Sequence, residues 1–417
     1  MSQPNLDARD SISQLSARFS VTSAITDEMV QEARSMVGVP LRVEQWNTEA
    51  SRDNIRHYAL GLGDLNPLWH DEDYGHNSIH HSTLAPPTFL YSVYCGLAPG
   101  LGGLPVLLTG AKWRFLAWVK KGDQIRAAAQ IDAVKSSENR RGHKRILQVG
   151  RLDYFRVKRS GSRTKLAECV QVVVRTPGPG HDGALTYEAR EPYRYTDAEL
   201  ADIETAVLRV QPRGAQPRYW EEVLIGDNIE QVVKGPYTRM SMVCYYAGAP
   251  GSPGYRTFDA WWRNRHLAFT KPEALPSTFP PEYFAGIGAS SMGHHDVVAA
   301  RTIGMPGIYD NGNQRIGLMA TAVTNWMSDA GFLYEYEHDI RRPVILGDTL
   351  YMDGRVVDKP TDQPPQLLRR SRVGFGQIRV ELRAQNQLGE TVSTGAATVL
   401  LPKRDTSPAV TDGRSGV

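Results

Sequence analysis

The feature that most constrains this chain is an internal repeat with a spacing of 225 residues. Three matches share this spacing: Gly122-Asp123 with Gly347-Asp348, Trp69-His70-Asp71 with His294-His295-Asp296, and Pro177 with Pro402. A further match, of residues 57–61 with residues 244–248, has a spacing near 188, so the second copy carries roughly 37 extra residues somewhere in 249–288. Because several short matches agree in one register, the repeat predicts two copies of one fold.

The repeat divides the 417 residues into four predicted segments. These are an N-terminal domain over 1–177, a linker with a helix over 178–218, a C-terminal domain over 219–402 with an insertion over 249–288, and a flexible tail over 403–417. In the linker, Thr196 and Glu199 form a capping-box pattern, which predicts a helix that runs to about Val210. Length alone would allow two or three domains.

Both copies show the same predicted order of elements. A short capped helix leads into a loop that contains Gly, Pro and His, and a longer helix follows over 87–95 in the first copy and 312–327 in the second. Segments rich in Val, Ile, Tyr and Trp come next, at 106–119, 124–134, 144–157 and 165–174, and at 332–340, 349–357, 366–387 and 391–401. One long helix with a run of antiparallel strands behind it is an α+β arrangement.

Composition excludes several classes of function. The formal charge of +3 is near neutral, and no dense Lys/Arg block is present, so no nucleic-acid partner is expected. The three cysteines form no CxxC pair, which excludes a disulfide scaffold or a zinc ribbon and fits a reducing compartment. With no run of eighteen apolar residues and no signal-peptide pattern near the start, the sequence predicts a cytoplasmic protein without a membrane partner.

Several motifs resemble the MaoC-like family of (R)-specific enoyl-CoA hydratases and 3-hydroxyacyl dehydratases. They are the segments 63–68, 71–74 and 84–89 in the first copy, and His294-His295-Asp296, Gly304-Met305-Pro306-Gly307 and Gly312 in the second. The resemblance covers about 43–177 and 219–402. It implies a double hotdog, in which two antiparallel sheets are each wrapped around a long central helix.

The resemblance also implies an activity, namely that of a hydro-lyase in fatty acid metabolism. Such an enzyme adds water to, or removes it from, an acyl thioester of coenzyme A or of acyl carrier protein. Coenzyme A enters as part of the substrate, so no separate cofactor is expected. A carboxylate and an imidazole on either side of one water supply the acid and base, and backbone N–H groups at a helix N-terminus stabilise the enolate oxygen.

The family's diagnostic loop has an Asp five residues before a His, with Asn-Pro between them, and neither copy keeps it whole. The first copy keeps Asp64, Asn66 and Pro67, but Trp69 stands at the place of the His, and His70 follows one position later. The second copy keeps a His at that place, but Ala289 stands at the place of the Asp. The sequence therefore leaves open which copy carries the chemistry.

Three hypotheses remain. In the first, His294 activates water, Asp310 replaces the missing carboxylate, and the backbone N–H of Gly312 holds the thioester oxygen. In the second, the first copy works through Asp64 and His70. In the third, the chain is a binding or structural partner, or it acts without a His–carboxylate dyad. The candidate substrate-binding residues are Gly312, Tyr309, Asn66, Trp69 and His295.

Each of these residues also has a structural interpretation. Asp64 and Asn66 commonly cap turns, and Trp69 suits a core or a tunnel wall. The adjacent His294 and His295 do not both face one cavity from an extended loop, and such adjacent pairs lack the spacing of metal ligands, so no metal is expected. The insertion forms either a lid over an acyl pocket or a cover for a sheet edge.

The sequence predicts an enoyl-CoA hydratase or 3-hydroxyacyl-CoA dehydratase. The alternatives are a hotdog thioesterase and a catalytically degenerate acyl-CoA-binding subunit. Oligomeric state stays open. A double hotdog already contains the pair that single-copy relatives obtain by dimerising, so a monomer is compatible with the sequence, as is a homodimer formed through edge strands.

Overall fold

The computed structural model describes residues 24–97, 99–101, 104–138, 142–177, 187–249, 258–275, 292–360 and 374–404. Ala289, most of the predicted insertion and most of the predicted tail lie outside the described residues. The predictions of a lid and of a flexible tail therefore stay predictions.

The described strands form one antiparallel sheet of nine strands, in the order β2-β3-β4-β1-β6-β9-β8-β7-β5. They are Val-, Ile- and aromatic-rich, and β3 alternates buried and half-buried residues along most of its length, as a strand with one covered face must. Their bounds are β1 Val106–Phe115, β2 Ile125–Glu138, β3 Lys144–Val157, β4 Arg163–Arg175, β5 Asn228–Lys234, β6 Phe332–Ile340, β7 Leu350–Asp358, β8 Phe375–Asn386 and β9 Thr391–Pro402.

The two copies are joined edge to edge in this sheet. The first copy supplies β1 to β4 and the second supplies β5 to β9, and β1 pairs with β6 in antiparallel register, with Trp113 opposite Tyr336. Both side chains are buried. The two predicted sheets are thus continuous, because pairing β1 with β6 removes two exposed edges.

Nine α-helices complete the described part of the chain. The second copy contains the predicted long central helix, α9, and thirteen of its sixteen residues are buried. The bounds are α1 Asp27–Ser35, α2 Arg52–Gly61, α3 Pro67–His70, α4 Glu72–Asn77, α5 Asp197–Arg209, α6 Arg239–Gly248, α7 Phe258–Thr270, α8 Val297–Thr302 and α9 Gly312–Met327. Helix α5 begins at the predicted capping box of Thr196 and Glu199.

The first copy differs from the prediction of a longer helix over 87–95. The structure has a six-residue 3₁₀ helix, Pro87–Ser92, in that place. Its sequence is rich in β-branched and aromatic residues, which have lower helix propensity than Ala or Leu, and five of the six are buried. Burial in the core, rather than helix propensity, therefore determines the conformation of this segment.

Two glycines allow helices α2 and α6 to cross closely. A Cβ atom added at Gly61 would lie 2.7 Å from the Cα atom of Tyr245, and one added at Gly248 would lie 2.5 Å from the carbonyl group of His57. These glycines are the last residues of the matching segments 57–61 and 244–248. The repeat thus places a small residue on each side of one helix crossing.

A single large hydrophobic core includes residues of both copies, among them Tyr58, Trp113, Ile316 and Tyr336. The helix α9, the antiparallel strands and the shared core make up an α+β double hotdog, as predicted. Among the described residues, no helix is both long enough and apolar enough to cross a membrane.

Candidate active site

The N-terminus of α9 is built from a capped turn. The Oδ1 atom of Asn311 accepts hydrogen bonds from the backbone N–H groups of Asn313 (2.9 Å) and Gln314 (3.4 Å), so it occupies two of the free donors of the first helical turn. The residue before it, Asp310, is held in place by its backbone N–H, which donates to the carbonyl oxygen of Val344 at 2.9 Å.

Asp310 forms an ion pair with Arg315 inside the protein. The Nε atom of Arg315 donates to Oδ2 of Asp310 at 2.6 Å, and its Nη2 atom donates to Oδ1. The two residues are only 3% and 2% exposed. Both carboxylate oxygens of Asp310 thus face the planar guanidinium group, which binds a carboxylate with two parallel bonds, and not the imidazole of His294. That Asp310 replaces the missing carboxylate of the second copy stays a prediction.

His294 ends a short 3₁₀ helix, Met292–His294, and its ring packs 4.4 Å from the ring of Tyr309. Its Nδ1 atom lies 3.0 Å from the backbone carbonyl oxygen of Tyr309. A carbonyl oxygen only accepts, so Nδ1 carries the hydrogen, and in the neutral ring Nε2 is then the acceptor. Burial lowers the pKa of His294 to about 4, and the Asp310 charge opposes that shift.

The neighbouring His295 contacts a different tyrosine. Its ring lies 5.6 Å from the ring of Tyr246, and burial, followed by the positive charge of Arg239, lowers its pKa. Tyr309 is 9% exposed, and burial raises the pKa of its hydroxyl group. The two adjacent histidines thus pack against different tyrosine rings.

Gly312, the first residue of α9, is closely surrounded by apolar side chains. A Cβ atom at this residue would lie 3.0 Å from Cδ2 of Leu108 and 3.1 Å from Cδ1 of Ile340. The close-packing interpretation therefore explains the glycine, and a role for its backbone N–H in holding a thioester oxygen stays a prediction.

In the first copy, the Asp64 carboxylate is fully engaged. Its Oδ1 accepts from the backbone N–H of Asn66 at 3.1 Å, and its Oδ2 accepts from the indole Nε1–H of Trp69 at 3.0 Å. Asp64 is 4% exposed, and burial raises its pKa, although the positive charge of Lys234 opposes the shift. Trp69 thus donates a hydrogen bond to the Asp64 carboxylate. Unlike the imidazole that the family has at this place, however, an indole cannot accept a proton.

His70 does not contact the carboxylate of Asp64. Its Nε2 atom lies 2.6 Å from the backbone carbonyl oxygen of Asp64, so Nε2 carries the hydrogen. The predicted pair of Asp64 and His70 is therefore joined through the main chain. In the described residues, each candidate imidazole is bonded to a carbonyl oxygen, and neither candidate carboxylate is hydrogen-bonded to an imidazole.

In the part of the chain that the structure describes, no group of three or more His, Cys, Asp or Glu side chains could hold a metal ion.

Sequence reasoning missed two residues. Arg315 follows Asp310 by five positions across the helix start, a spacing that could have drawn attention to it, whereas Asp329 follows α9 and has no motif around it.

Part of the first copy matches a family model. Residues 35–152 match the family model described as FAS1-like, dehydratase domain region. UPF0336 proteins of Streptomyces coelicolor and Streptomyces griseus are each 30% identical to the chain over 96 residues, which make up 21% of this chain and 64% of each relative. The chain thus spans somewhat less than two thirds of the curated relatives that it matches.

Solved structures give a broader match. A protein named MaoC-like dehydratase superimposes with a TM-score of 0.55 and 16% identity, covering 89% of this chain and 99% of that one. A putative MaoC domain protein dehydratase from Chloroflexus aurantiacus superimposes with a TM-score of 0.50 and 13% identity, covering 88% and 96%. At these identities the likeness concerns the fold.

Proposed function

We propose that this chain, whose predicted resemblance to the MaoC-like family is confirmed, is a hydro-lyase that adds water to, or removes it from, an acyl thioester. The dehydratase-region match over 35–152 and the shared fold support the reaction class. The observation that carries the proposal is the Nδ1 contact of His294, because it leaves Nε2 as a proton acceptor. Coenzyme A is the proposed carrier of the acyl group, and no separate cofactor is needed.

In the hydration direction, Nε2 of His294 takes a proton from water while the water oxygen bonds to the β-carbon. The electron pair of the double bond moves toward the thioester oxygen, and the imidazolium then returns a proton to the α-carbon. The Asp310 charge favours the protonated ring, while Arg315 holds that carboxylate in place. The backbone N–H of Gly312, at the positive end of the α9 dipole, is the proposed donor to the oxygen.

A second candidate function is an acyl-thioester-binding subunit without turnover. It is favoured because each oxygen of both candidate carboxylates already accepts a hydrogen bond, in Asp64 from Asn66 and Trp69, and in Asp310 from Arg315. The same occupation weighs against a thioesterase, which needs a carboxylate free to activate water against the thioester carbonyl.

One experiment distinguishes the hydro-lyase, the acyl-thioester-binding subunit and the thioesterase. The chain is mixed with 2-enoyl-CoA substrates of increasing length, and enoyl absorbance, free thiol and binding are followed together. Loss of enoyl absorbance without thiol release supports the hydro-lyase, and thiol release supports a thioesterase. Binding without either change supports the subunit, and no binding at all contradicts every acyl-thioester function.

A further inference from the structure

Part of the predicted linker, residues 187–196, lies against the loop that connects α8 to α9. We call this segment the linker strap. The backbone N–H of Arg190, in the strap, donates to the carbonyl oxygen of Pro306, in the loop, at 3.1 Å. Three residues further along the same loop, the carbonyl oxygen of Tyr309 lies 3.0 Å from Nδ1 of His294. The linker strap therefore contacts the loop that orients the candidate base.

Arg190 also supplies the positive charge for a buried carboxylate. Its Nη2 atom donates to Oδ2 of Asp348 at 2.5 Å, and the side chain of Asp348 has no exposed surface. The same Oδ2 atom accepts from the backbone N–H of Ile345 at 2.9 Å, and Oδ1 accepts from Nε2 of Gln387 at 2.9 Å. Because a buried charge without its partner is costly, the ion pair fixes the strap to the second copy.

A short path of hydrogen bonds connects Asp348 to His294. Ile345, whose N–H contacts the Asp348 carboxylate, forms an antiparallel bridge with Tyr309. Two backbone hydrogen bonds, of 3.0 and 2.9 Å, flank this bridge and hold the loop against the turn that contains Asp348. Tyr309 then contacts the imidazole through its carbonyl oxygen. A displacement of the Asp348 turn would therefore move the carbonyl oxygen that accepts from His294.

The first copy contains the same turn but holds it without the linker. At the repeat spacing of 225, Asp348 corresponds to Asp123. The first copy also has a bridge of Leu84 with Lys120, which corresponds at that spacing to the bridge of the second copy. The Asp123 carboxylate accepts from Nε and Nη2 of Arg156, at 2.6 Å each. Arg156 belongs to β3, so the first copy provides this arginine from its own sheet.

The sheet of the second copy has no arginine at the matching place. In the first copy, Arg156 lies opposite Ile125. The residue that matches Ile125 at the repeat spacing is Leu350, and the uncharged Asn386 lies opposite it. The linker strap thus provides, through Arg190, the charge that the first copy takes from β3.

The strap also covers the glycine of this turn in the second copy. The hydroxyl of Tyr195 donates to the carbonyl oxygen of Gly347 at 2.8 Å. A Cβ atom added at Gly347 would lie 2.8 Å from the backbone nitrogen of Tyr193, whereas one added at the matching Gly122 would meet nothing within 4 Å. The two turns therefore differ in the linker that packs on the second one.

We propose that Arg190 is a positioning residue of the candidate active site. Its ion pair with Asp348 holds the linker strap and the Tyr309 loop together, and so keeps His294 in the tautomer whose Nε2 accepts a proton. The hydrogen bond made by one ring nitrogen decides which nitrogen carries the hydrogen. The effect of Arg190 on turnover rests on the proposed function, but its effect on the tautomer does not, because the tautomer exists without substrate.

The first measurement is the tautomer of His294, from the NMR shifts of its ring nitrogens in the histidine-labelled full chain. The His294→Gln variant identifies the two signals. Wild type should carry the hydrogen on Nδ1 and none on Nε2. Arg190→Gln removes the charge and should give a mixture of both tautomers. Arg190→Lys keeps a charged donor for Asp348 and should restore the wild-type shifts.

Arg156→Gln is the matched control, because it removes the corresponding arginine of the first copy. It should also destabilise the chain, since it breaks an arginine–aspartate pair of the same kind. It should leave the ring shifts of His294 unchanged. The comparison thus distinguishes positioning of His294 from a general loss of stability.

The second measurement is hydration of a 2-enoyl-CoA. Arg190→Gln should lower kcat by about 10 to 100-fold and keep KM within about twofold, because a misplaced base affects the chemical step rather than binding. Arg156→Gln should keep kcat within about twofold of wild type. If wild type hydrates no enoyl-CoA, the proposed function fails, and the NMR shifts still decide the role of Arg190.

A second variant applies if Arg190→Gln does not fold. Tyr195→Phe removes the hydrogen bond of the strap to Gly347 and should shift the His294 tautomers in the same direction. A wild-type His294 without its hydrogen on Nδ1 would overturn the proposal. So would unchanged His294 shifts in folded Arg190→Gln, or in Tyr195→Phe where it takes the place of that variant. Equal changes in Arg156→Gln would also overturn it.

Discussion

The guanidinium group of Arg315 holds both carboxylate oxygens of Asp310, five residues earlier in the chain, so Asp310 faces an arginine rather than His294. Arg315 also donates to the carbonyl oxygens of Arg342 (2.6 Å) and Val392 (3.4 Å), which closes the N-terminus of α9 against the strands. Asp310 therefore acts on His294 through its charge, at a distance, while Arg315 sets its position.

Asp310→Ala should destabilise the protein strongly, because it leaves the Arg315 charge buried without its partner. The expected loss is about 3 to 5 kcal/mol in the free energy of unfolding, measured with urea. Asp339, whose side chain is 63% exposed and pairs with Arg341 on the surface, is the matched control. Asp339→Ala should cost less than about 1 kcal/mol. Equal losses in the two variants would contradict a buried ion pair.

Trp69→Phe should destabilise the first copy without affecting turnover at His294. The change removes the indole donor and leaves Oδ2 of the buried Asp64 without its partner, at a cost of about 1 to 3 kcal/mol. Urea unfolding measures the loss, and enoyl-CoA hydration should stay within about twofold of wild type. Trp262→Phe, at a side chain 55% exposed, is the control and should leave stability nearly unchanged. A large loss of turnover in a folded Trp69→Phe chain would favour chemistry in the first copy.

His338 should make the protein less stable in acid. Its Nδ1 lies 3.0 Å from the hydroxyl of Tyr336 and its Nε2 lies 3.0 Å from the hydroxyl of Ser393, and burial lowers its pKa to about 3. An unfolded histidine has a pKa near 6.5, so the unfolded state binds a proton that the folded state does not. Stability is full above about pH 6.5 and falls as the pH drops toward 3, by about 2 kcal/mol at pH 5.

Urea unfolding at pH 7.5 and pH 5 measures the predicted loss of stability in acid. His338→Gln should lose that part of the pH dependence, even if it lowers stability at both pH values. The matched control is His76→Gln, at an exposed position, which should keep the wild-type dependence. If His338→Gln left the dependence intact, the account of a neutral buried imidazole would be wrong.

Gly248→Ala should destabilise the crossing of α2 and α6. The added methyl group would lie 2.5 Å from the backbone of His57, which cannot move without separating the helices. We expect a loss of about 1 to 3 kcal/mol by thermal or urea unfolding. Gly374→Ala, where a Cβ atom would meet nothing within 4 Å, is the control. A neutral Gly248→Ala would mean that the helices do not cross there.

Much of the fold could be predicted because the sequence contains recurring patterns that are typical of its helices and strands. The capping box at Thr196 and the alternating strands follow from nearby residues, and the repeat register predicts two copies of one α+β fold. The double hotdog is what the resemblance of the motifs to the MaoC-like family implies. The sequence predicts a longer helix over 87–95, but the structure has a 3₁₀ helix over Pro87–Ser92, most of whose residues are buried in the core.

The candidate site was only partly predictable, because its contacts join residues that no motif connects. The sequence shows that Trp69 and Ala289 break the Asp and His pattern, but not that the Trp69 indole donates to Asp64. It suggests Asp310 as a substitute, but the direction of that carboxylate depends on Arg315. The carboxylate of Asp329 accepts a hydrogen bond from Tyr74 only because the two copies pack together.

The most direct test of the account is hydration of a 2-enoyl-CoA by the His294→Ala variant, compared with wild type and with His295→Ala. His294 is the proposed base, so its loss should lower kcat by about 10² to 10⁴-fold while the unfolding midpoint shows that the chain is folded. His295→Ala should keep most of the activity, because His295 contacts Tyr246 instead. A folded His294→Ala chain that hydrates the substrate at the wild-type rate would contradict the central claim.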